Sequence, residues 1–316
     1  MPGADYNPLH THRYHQPANP AMLANALPDH VRLRLQDYAL LLRLNRPVGT
    51  LLLLWPTYWA LWLAADGMPS LSNLIVFTLG VYLMRAAGCA INDFADRKWD
   101  RHVERTKDRP LTTGRIQPWE AVALFAGLGL VSFLMVLLFT NTLTVYLAFG
   151  GALLAFVYPF MKRYTHLPQV CLGAAFGWSI PMAWAAQTGE LSQVTWLLFI
   201  ANVIWSVVYD TFYAMVDRED DLKVGIKSTA VLFGDADRLI LGVLQTTIIA
   251  ILLLVGQQAE LGTFYYIGLL TMACLFIYHQ FLARERDRAG CFKAFLHNNW
   301  AGFALFAGLA LDRMLA

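Results

Sequence analysis

Nine apolar runs, each close to the length that crosses a bilayer, constrain this chain more than any other feature. They fall near 47–65, 71–92, 119–139, 143–161, 167–187, 193–213, 238–256, 262–283 and 294–311. Short polar breaks separate them, among them Asp66-Gly67-Met68-Pro69, Thr140-Asn141-Thr142, Gly189-Glu190 and Gln257-Gln258. A membrane helix needs roughly 20 apolar residues, and 57% of the 316 residues are hydrophobic, enough for nine such helices. Charged residues make up 15% of the chain, well below the roughly 25% of soluble domains. The expected fold class is all-α: a polytopic membrane protein with nine transmembrane helices in one bundle, a single domain over residues 31–316.

The basic residues set the expected orientation. Of 24 Lys and Arg, all but Arg313 precede the first span, end the even-numbered spans, or lie in the loops after those spans. The other loops carry Asp66, Glu190 and Glu260 but no Lys or Arg. By the positive-inside rule the N-terminus and the four basic loops are cytoplasmic. Residues 1–30 are polar, with His10, His12 and His15 and no apolar core. They read as a flexible tail, neither a cleaved signal peptide nor a fixed metal site.

Other classes drop out. A net charge of +2, with no basic run carrying interleaved aromatics, gives no sign of nucleic-acid binding. Cys89, Cys171, Cys274 and Cys291 are scattered, matching neither a zinc site nor a disulfide framework. No P-loop, GxGxxG, HExxH or GxSxG pattern occurs.

The carboxylates gather in two cytoplasmic segments. Asn92-Asp93-Phe94-Ala95-Asp96-Arg97-Lys98-Trp99-Asp100 ends the second span. If its helix continues, Asp93, Asp96 and Asp100 line one face over two turns, with Asn92 one turn from Asp96. At the end of the sixth span, Asp210, Asp217 and Asp221 again form one stripe. In both segments two aspartates stand seven residues apart. Aligned carboxylates repel unless they take up protons or bind cations. Mg²⁺ binds through a few carboxylates together with substrate phosphates, so two facing stripes suit two Mg²⁺ ions with a diphosphate between them. Solvated helix ends paired with neighbouring Arg and Lys are the plainer alternative.

Basic residues complement these acids: Lys162 and Arg163 after the fourth span, Arg97, Arg101, Arg105, Lys107 and Arg109 after the first cluster, and Lys223 and Lys227 after the second. Arg43 and Arg46 stand at the entrance of the first span, suited to an anionic second substrate or to snorkelling. Arg85 lies inside the second span, where a cation needs a partner, functional or structural. Gly173 and Gly177 form a GxxxG pair for close helix packing. Trp178, Trp184, Phe199 and Trp205 either line a groove for an apolar tail or simply pack.

On these residues the chain resembles the UbiA-type intramembrane prenyltransferases. Asn92, Asp93, Asp96 and Asp100 meet the pattern NDxxDxxxD. Asp210, Tyr213, Ala214, Asp217 and Asp221 meet DxxYAxxDxxxD, and Tyr158 and Lys162 meet YxxxK. The resemblance runs from about residue 35 to the C-terminus. The runs 46–57, 103–114 and 226–229 resemble the bacterial members that prenylate 4-hydroxybenzoate in ubiquinone synthesis.

The resemblance implies an integral protein of the bacterial inner membrane with its site facing the cytoplasm. It implies Mg²⁺-dependent transfer of a polyprenyl group from polyprenyl diphosphate to 4-hydroxybenzoate. Asn92, Asp96, Asp100, Asp217 and Asp221 would then hold Mg²⁺, while Lys162, Arg163, Arg97 and Tyr158 would meet the diphosphate. Asp93, Asp210 or Asp217 would act as the base, and Arg43, with Arg163 as second choice, would take the acceptor's carboxylate. Another aromatic or quinone-precursor acceptor is the alternative within the enzyme class. A secondary transporter is the alternative outside it, although transporter sites lie nearer the midplane than these carboxylates.

Overall fold

The computed structural model describes residues 28–102 and 106–315, all side chains but those of His102 and Val224 included. His10, His12, His15 and most of the expected tail lie outside them, as does Arg105. The described residues are helical. The order is α1 (Asp29–Leu41), α2 (Val48–Ala65), α3 (Leu71–Asp96), α4 (Pro118–Phe139), α5 (Thr142–Val157), α6 (Pro168–Gly177), α7 (Ser179–Thr188), α8 (Gln193–Val224), α9 (Thr229–Phe233), α10 (Asp237–Gln258), α11 (Thr263–Leu282) and α12 (Arg288–Leu315). Short 3-10 turns follow α3 at Asp100–His102 and α5 at Tyr158–Arg163.

Every predicted apolar run is helical, and the predicted breaks do the capping. Asp66 ends α2 in the left-handed region at φ 50°, and Gly189 ends α7 at φ 79°, a conformation that costs glycine little. The side chain of Asn141 accepts the Thr144 amide at 3.0 Å and so caps α5. Among the described residues, seven helical stretches are long and apolar enough to cross a membrane. The fifth and ninth predicted spans are not among them, for two different reasons.

The fifth is split at Trp178 into two helices of 10 residues each. Pro181 has no N–H to offer the Gly177 carbonyl, and its ring crowds that carbonyl, so the helix breaks one residue later. The ninth, α12, has 28 residues, but it buries Asn298, Asn299 and Asp312 against its neighbours. Asn298 accepts the Trp205 indole N–H at 2.9 Å and Asn299 that of Trp55 at 2.8 Å, so polar groups inside the bundle are satisfied by one another.

The core sits where α2, α8 and α12 meet. Trp59 and Trp205 stack at 5.4 Å, and a Cβ on Gly302 would lie 2.5 Å from the Trp205 ring. Gly173 and Gly177 seat α6 on α8: a Cβ on Gly173 would lie 2.9 Å from the Val203 carbonyl oxygen, and one on Gly177 2.5 Å from Asn202 Nδ2. The outer faces of α4 and α5 instead expose Leu130, Leu134, Leu138, Tyr146, Phe149 and Leu153. In water such a surface would drive aggregation; in a bilayer it is the solvated face.

α1, which the sequence reading left inside the tail and the approach to the first span, is a separate helix. Arg34 and Tyr38 both donate to Glu120 at the start of α4, which fastens α1 across that end of the bundle.

Candidate active site

The two acidic segments are built differently. α8 runs unbroken through Val224 and ends where Gly225 takes φ 72°, so Asp210, Asp217 and Asp221 do form one helical stripe. Asp217 and Asp221 are buried and Asp210 is half-buried. α3, by contrast, ends at Asp96. Asp100 is therefore not on a continuing helix, as the stripe would require, but on the 3-10 turn beyond it.

Arg109 brings Asp100 back. Its Nη1 donates to Asp93 Oδ1 at 2.9 Å and to Asp100 Oδ2 at 2.8 Å. Burial pushes the Asp100 carboxyl above its ordinary range, and the Arg109 charge opposes that shift. Asp93, 1% exposed, also receives Arg43 Nη2 at 2.8 and 3.1 Å. Two guanidinium groups thus occupy this carboxylate, which makes it an anchor for Arg43 and Arg109.

Asp96 is the centre of the first motif. Its Oδ2 accepts the Asn92 amide at 3.2 Å and forms an ion pair with Lys162. Its Oδ1 is buried and has no hydrogen-bond partner. A buried carboxylate oxygen without a partner is costly, and a bound cation is the ordinary remedy. Among the described residues no three His, Cys, Asp or Glu side chains converge as a cage for one ion. The oxygen-only donors of Asn92, Asp96, Asp217 and Asp221 do fit a hard divalent ion that completes its shell with substrate phosphate.

Tyr158 joins the two motifs. Its hydroxyl donates to the Gly88 carbonyl at 3.1 Å, and the charges of Asp96 and Asp210 both reach it. It stands at one end of an apolar cavity of about 160 Å³, lined by Phe77, Val81, Met84, Phe133, Phe176 and Trp178 among others. Of the four aromatics considered for a groove, only Trp178 lines this cavity. Trp184 and Trp205 are core, and Phe199 packs edge-on against Trp178 at 5.7 Å.

The remaining basic candidates divide. Arg163 donates to the Ala95 carbonyl at 2.6 Å and lies over the Trp99 ring at 4.6 Å, beside the acids. Arg97 donates to the Phe94 carbonyl at 2.6 Å and faces a second cavity with Lys98 and Arg101. Arg109 was legible only as one of a basic run. Its bridge closes a loop that no local periodicity encodes.

The chain is 76% identical to the 4-hydroxybenzoate octaprenyltransferase of Marinobacter nauticus over 92% of its length and 99% of that protein. With the protein of the same name from Vibrio campbellii it shares 60% over 87% of this chain and 96% of the other. Among solved structures it resembles the apo structure of a UbiA homolog from Aeropyrum pernix K1 at a TM-score of 0.74 and 26% identity, covering 83% of this chain and 97% of that one. It shares the fold of the UbiA homolog from Archaeoglobus fulgidus bound to GPP and Mg2+, with a TM-score of 0.64, 20% identity and 85% and 99% of the two chains covered. Residues 53–303 match the UbiA prenyltransferase family, and the chain, an integral membrane protein by its helices, belongs to that family.

Proposed function

We propose that this chain transfers a polyprenyl group from polyprenyl diphosphate to the ring carbon ortho to the hydroxyl of 4-hydroxybenzoate. The observation that carries the reading is Asp96, paired with Lys162 and left with one buried oxygen without a partner, next to a motif tyrosine, Tyr158, that lines an apolar cavity. The names of relatives up to 76% identical support the acceptor. The chain crosses the bacterial inner membrane nine times, with the N-terminus and the active site on the cytoplasmic side.

Asn92, Asp96, Asp100, Asp217 and Asp221 would hold Mg²⁺, which when bound neutralises the charge that develops on the departing diphosphate. Lys162 and Arg163 grip diphosphate oxygens, with Tyr158 as a hydrogen-bond donor. Preorganised charge of this kind favours the state in which the allylic C–O bond has opened. The walls from Phe77 to Trp178 hold the isoprenoid and keep water from the cation. Asp210 or Asp217 takes the proton of the acceptor, since Asp93 is committed to Arg43 and Arg109.

The test is prenyl transfer by membranes containing the chain, given 4-hydroxybenzoate and a long-chain prenyl diphosphate with Mg²⁺ or EDTA. A prenylated product that disappears on chelation is expected. No product with Mg²⁺ from folded protein overturns the assignment.

A further inference from the structure

The run 226–229, to which the site above gives no role, opens a segment that turns back along α8. Ser228 accepts the Val231 amide at 3.4 Å and so caps α9. Thr229 then meets α8: its hydroxyl lies 2.6 Å from that of Thr211, and both residues are fully buried. Thr211 donates its proton to the Val207 carbonyl at 2.5 Å, so Thr229 is the donor between the two. The Thr229 amide donates to Gln169 Oε1 at 3.2 Å, which ties the same point to α6. At the far end of the segment Asp237 opens α10, fully buried, and accepts Arg218 Nη1 at 3.2 Å. Its oxygens also accept Arg286 Nε at 3.0 and 3.1 Å and the Arg238 amide at 2.6 Å.

The two ties are placed on α8 in the same way. Thr211 follows Asp210, and Arg218 follows Asp217. Residues seven apart share a stripe, so the ties form a line of their own, turned about 100° from the line of Asp210, Asp217 and Asp221. The roll of a helix about its axis is set only by what grips it. A carboxylate carried about 6 Å from the axis moves about 2 Å for a roll of about 20°. That is a whole Mg–O bond, about 2.1 Å, and Mg²⁺ accepts little departure from octahedral geometry. On the exposed side Arg288 reaches Glu219 and Asp220 at 3.3 and 3.4 Å, but exposed pairs hold little. The buried ties are the ones placed to fix the roll.

We propose that Thr229 and Arg218 are positioning residues. Through Thr211 and Asp237, the segment 228–237 splints α8 and sets the roll at which its three aspartates face the first motif. The proposal rests on the metal-holding role given to Asp217 and Asp221 above. Neither positioning residue touches substrate, and loosening the splint weakens metal binding before it harms the fold.

The experiment measures Mn²⁺ binding by EPR, with a non-cleavable phosphonate analogue of the prenyl diphosphate present. It compares wild type, Arg218→Gln, Arg218→Lys, Thr229→Val and Arg286→Gln reconstituted in lipid. Losing the support behind a metal ligand costs roughly 10–100-fold in affinity, and a tie that acts through the backbone belongs at the lower end. Binding should weaken about 10-fold in Arg218→Gln and in Thr229→Val, with Arg218→Lys between them and wild type. Excess Mg²⁺ should restore their turnover. Arg286→Gln takes a guanidinium from the same buried carboxylate but leaves the tie to α8, so its Tm should fall while its Mn²⁺ affinity holds. Thr229→Val removes one hydroxyl and nearly keeps the shape of the side chain, so it decides the matter if Arg218→Gln does not fold. Wild-type Mn²⁺ affinity in folded Arg218→Gln or in Thr229→Val overturns the proposal, as does an equal weakening in Arg286→Gln. Wild type that binds no Mn²⁺ with the analogue overturns the metal-holding reading instead, so the two failures are told apart.

Discussion

Arg109 Nη1 lies 2.9 Å from Asp93 Oδ1, across 16 residues of chain, and the carboxylate it meets is 1% exposed. The contact turns the first acidic motif from a helical stripe into a closed ring of charge, because the same nitrogen also holds Asp100.

Removing Arg109 should therefore cost structure as well as rate. Arg109→Gln leaves Asp93 with Arg43 alone and deprives Asp100 of its bridge. Breaking a buried pair on one side costs about 3–5 kcal/mol. A lowered Tm in detergent should accompany the loss of turnover, with Arg109→Lys intermediate in both. A wild-type Tm in Arg109→Gln would show that the ring contributes nothing to folding.

The metal-binding reading predicts the opposite signature at Asp96 and Asp217. Alanine at either should cut turnover by about 10²–10³-fold or more, with membrane insertion retained. Near-normal activity in both variants would sink the assignment.

Gly177 should tolerate nothing larger. A Cβ there meets Asn202 Nδ2 at 2.5 Å and Phe199 at 3.3 Å. Overpacking of a close helix contact costs about 1–3 kcal/mol, so Gly177→Ala should lower Tm. Gly127→Ala, at a position with open space around it, is the control that should leave Tm unchanged.

The Trp205–Asn298 pair gives a test away from the chemistry. Both residues are 0% exposed and joined at 2.9 Å. Asn298→Leu strands the indole N–H, worth about 1–3 kcal/mol. Tm should fall while KM for both substrates holds. A shifted KM would mean that the core of the bundle reports to the site.

Much of this was legible because it is local. The nine runs, the capping at Asp66, Asn141 and Gly189, and the stripe of Asp210, Asp217 and Asp221 follow from spacing along single helices. The break at Trp178 was legible in principle from Pro181, yet hydropathy averages over it. α1 escaped notice because it lacks a long apolar run: its hold on the bundle comes from Arg34 and Tyr38 meeting Glu120. Asp100 misled for the same reason. Helical spacing put it on the stripe, whereas a contact to Arg109 keeps it there after the helix has ended. What the sequence could not express is which cation meets which acid, as Arg109 meets Asp93 and Asp100.

The length of α8 has a kinetic meaning. Its 32 residues rise about 48 Å at 1.5 Å each, while the hydrocarbon layer is about 30 Å thick. If the helix stands upright with Gln193 at one face of that layer, Asp217 and Asp221 come about 36 and 42 Å along, beyond the layer, and Asp210 within it. The site would then straddle a phase boundary. A donor anchored in lipid then arrives by two-dimensional diffusion, at a concentration fixed by its mole fraction in the membrane, while the water-soluble acceptor arrives from three dimensions. Diluting the vesicles at constant lipid composition should starve the enzyme of one substrate and not the other.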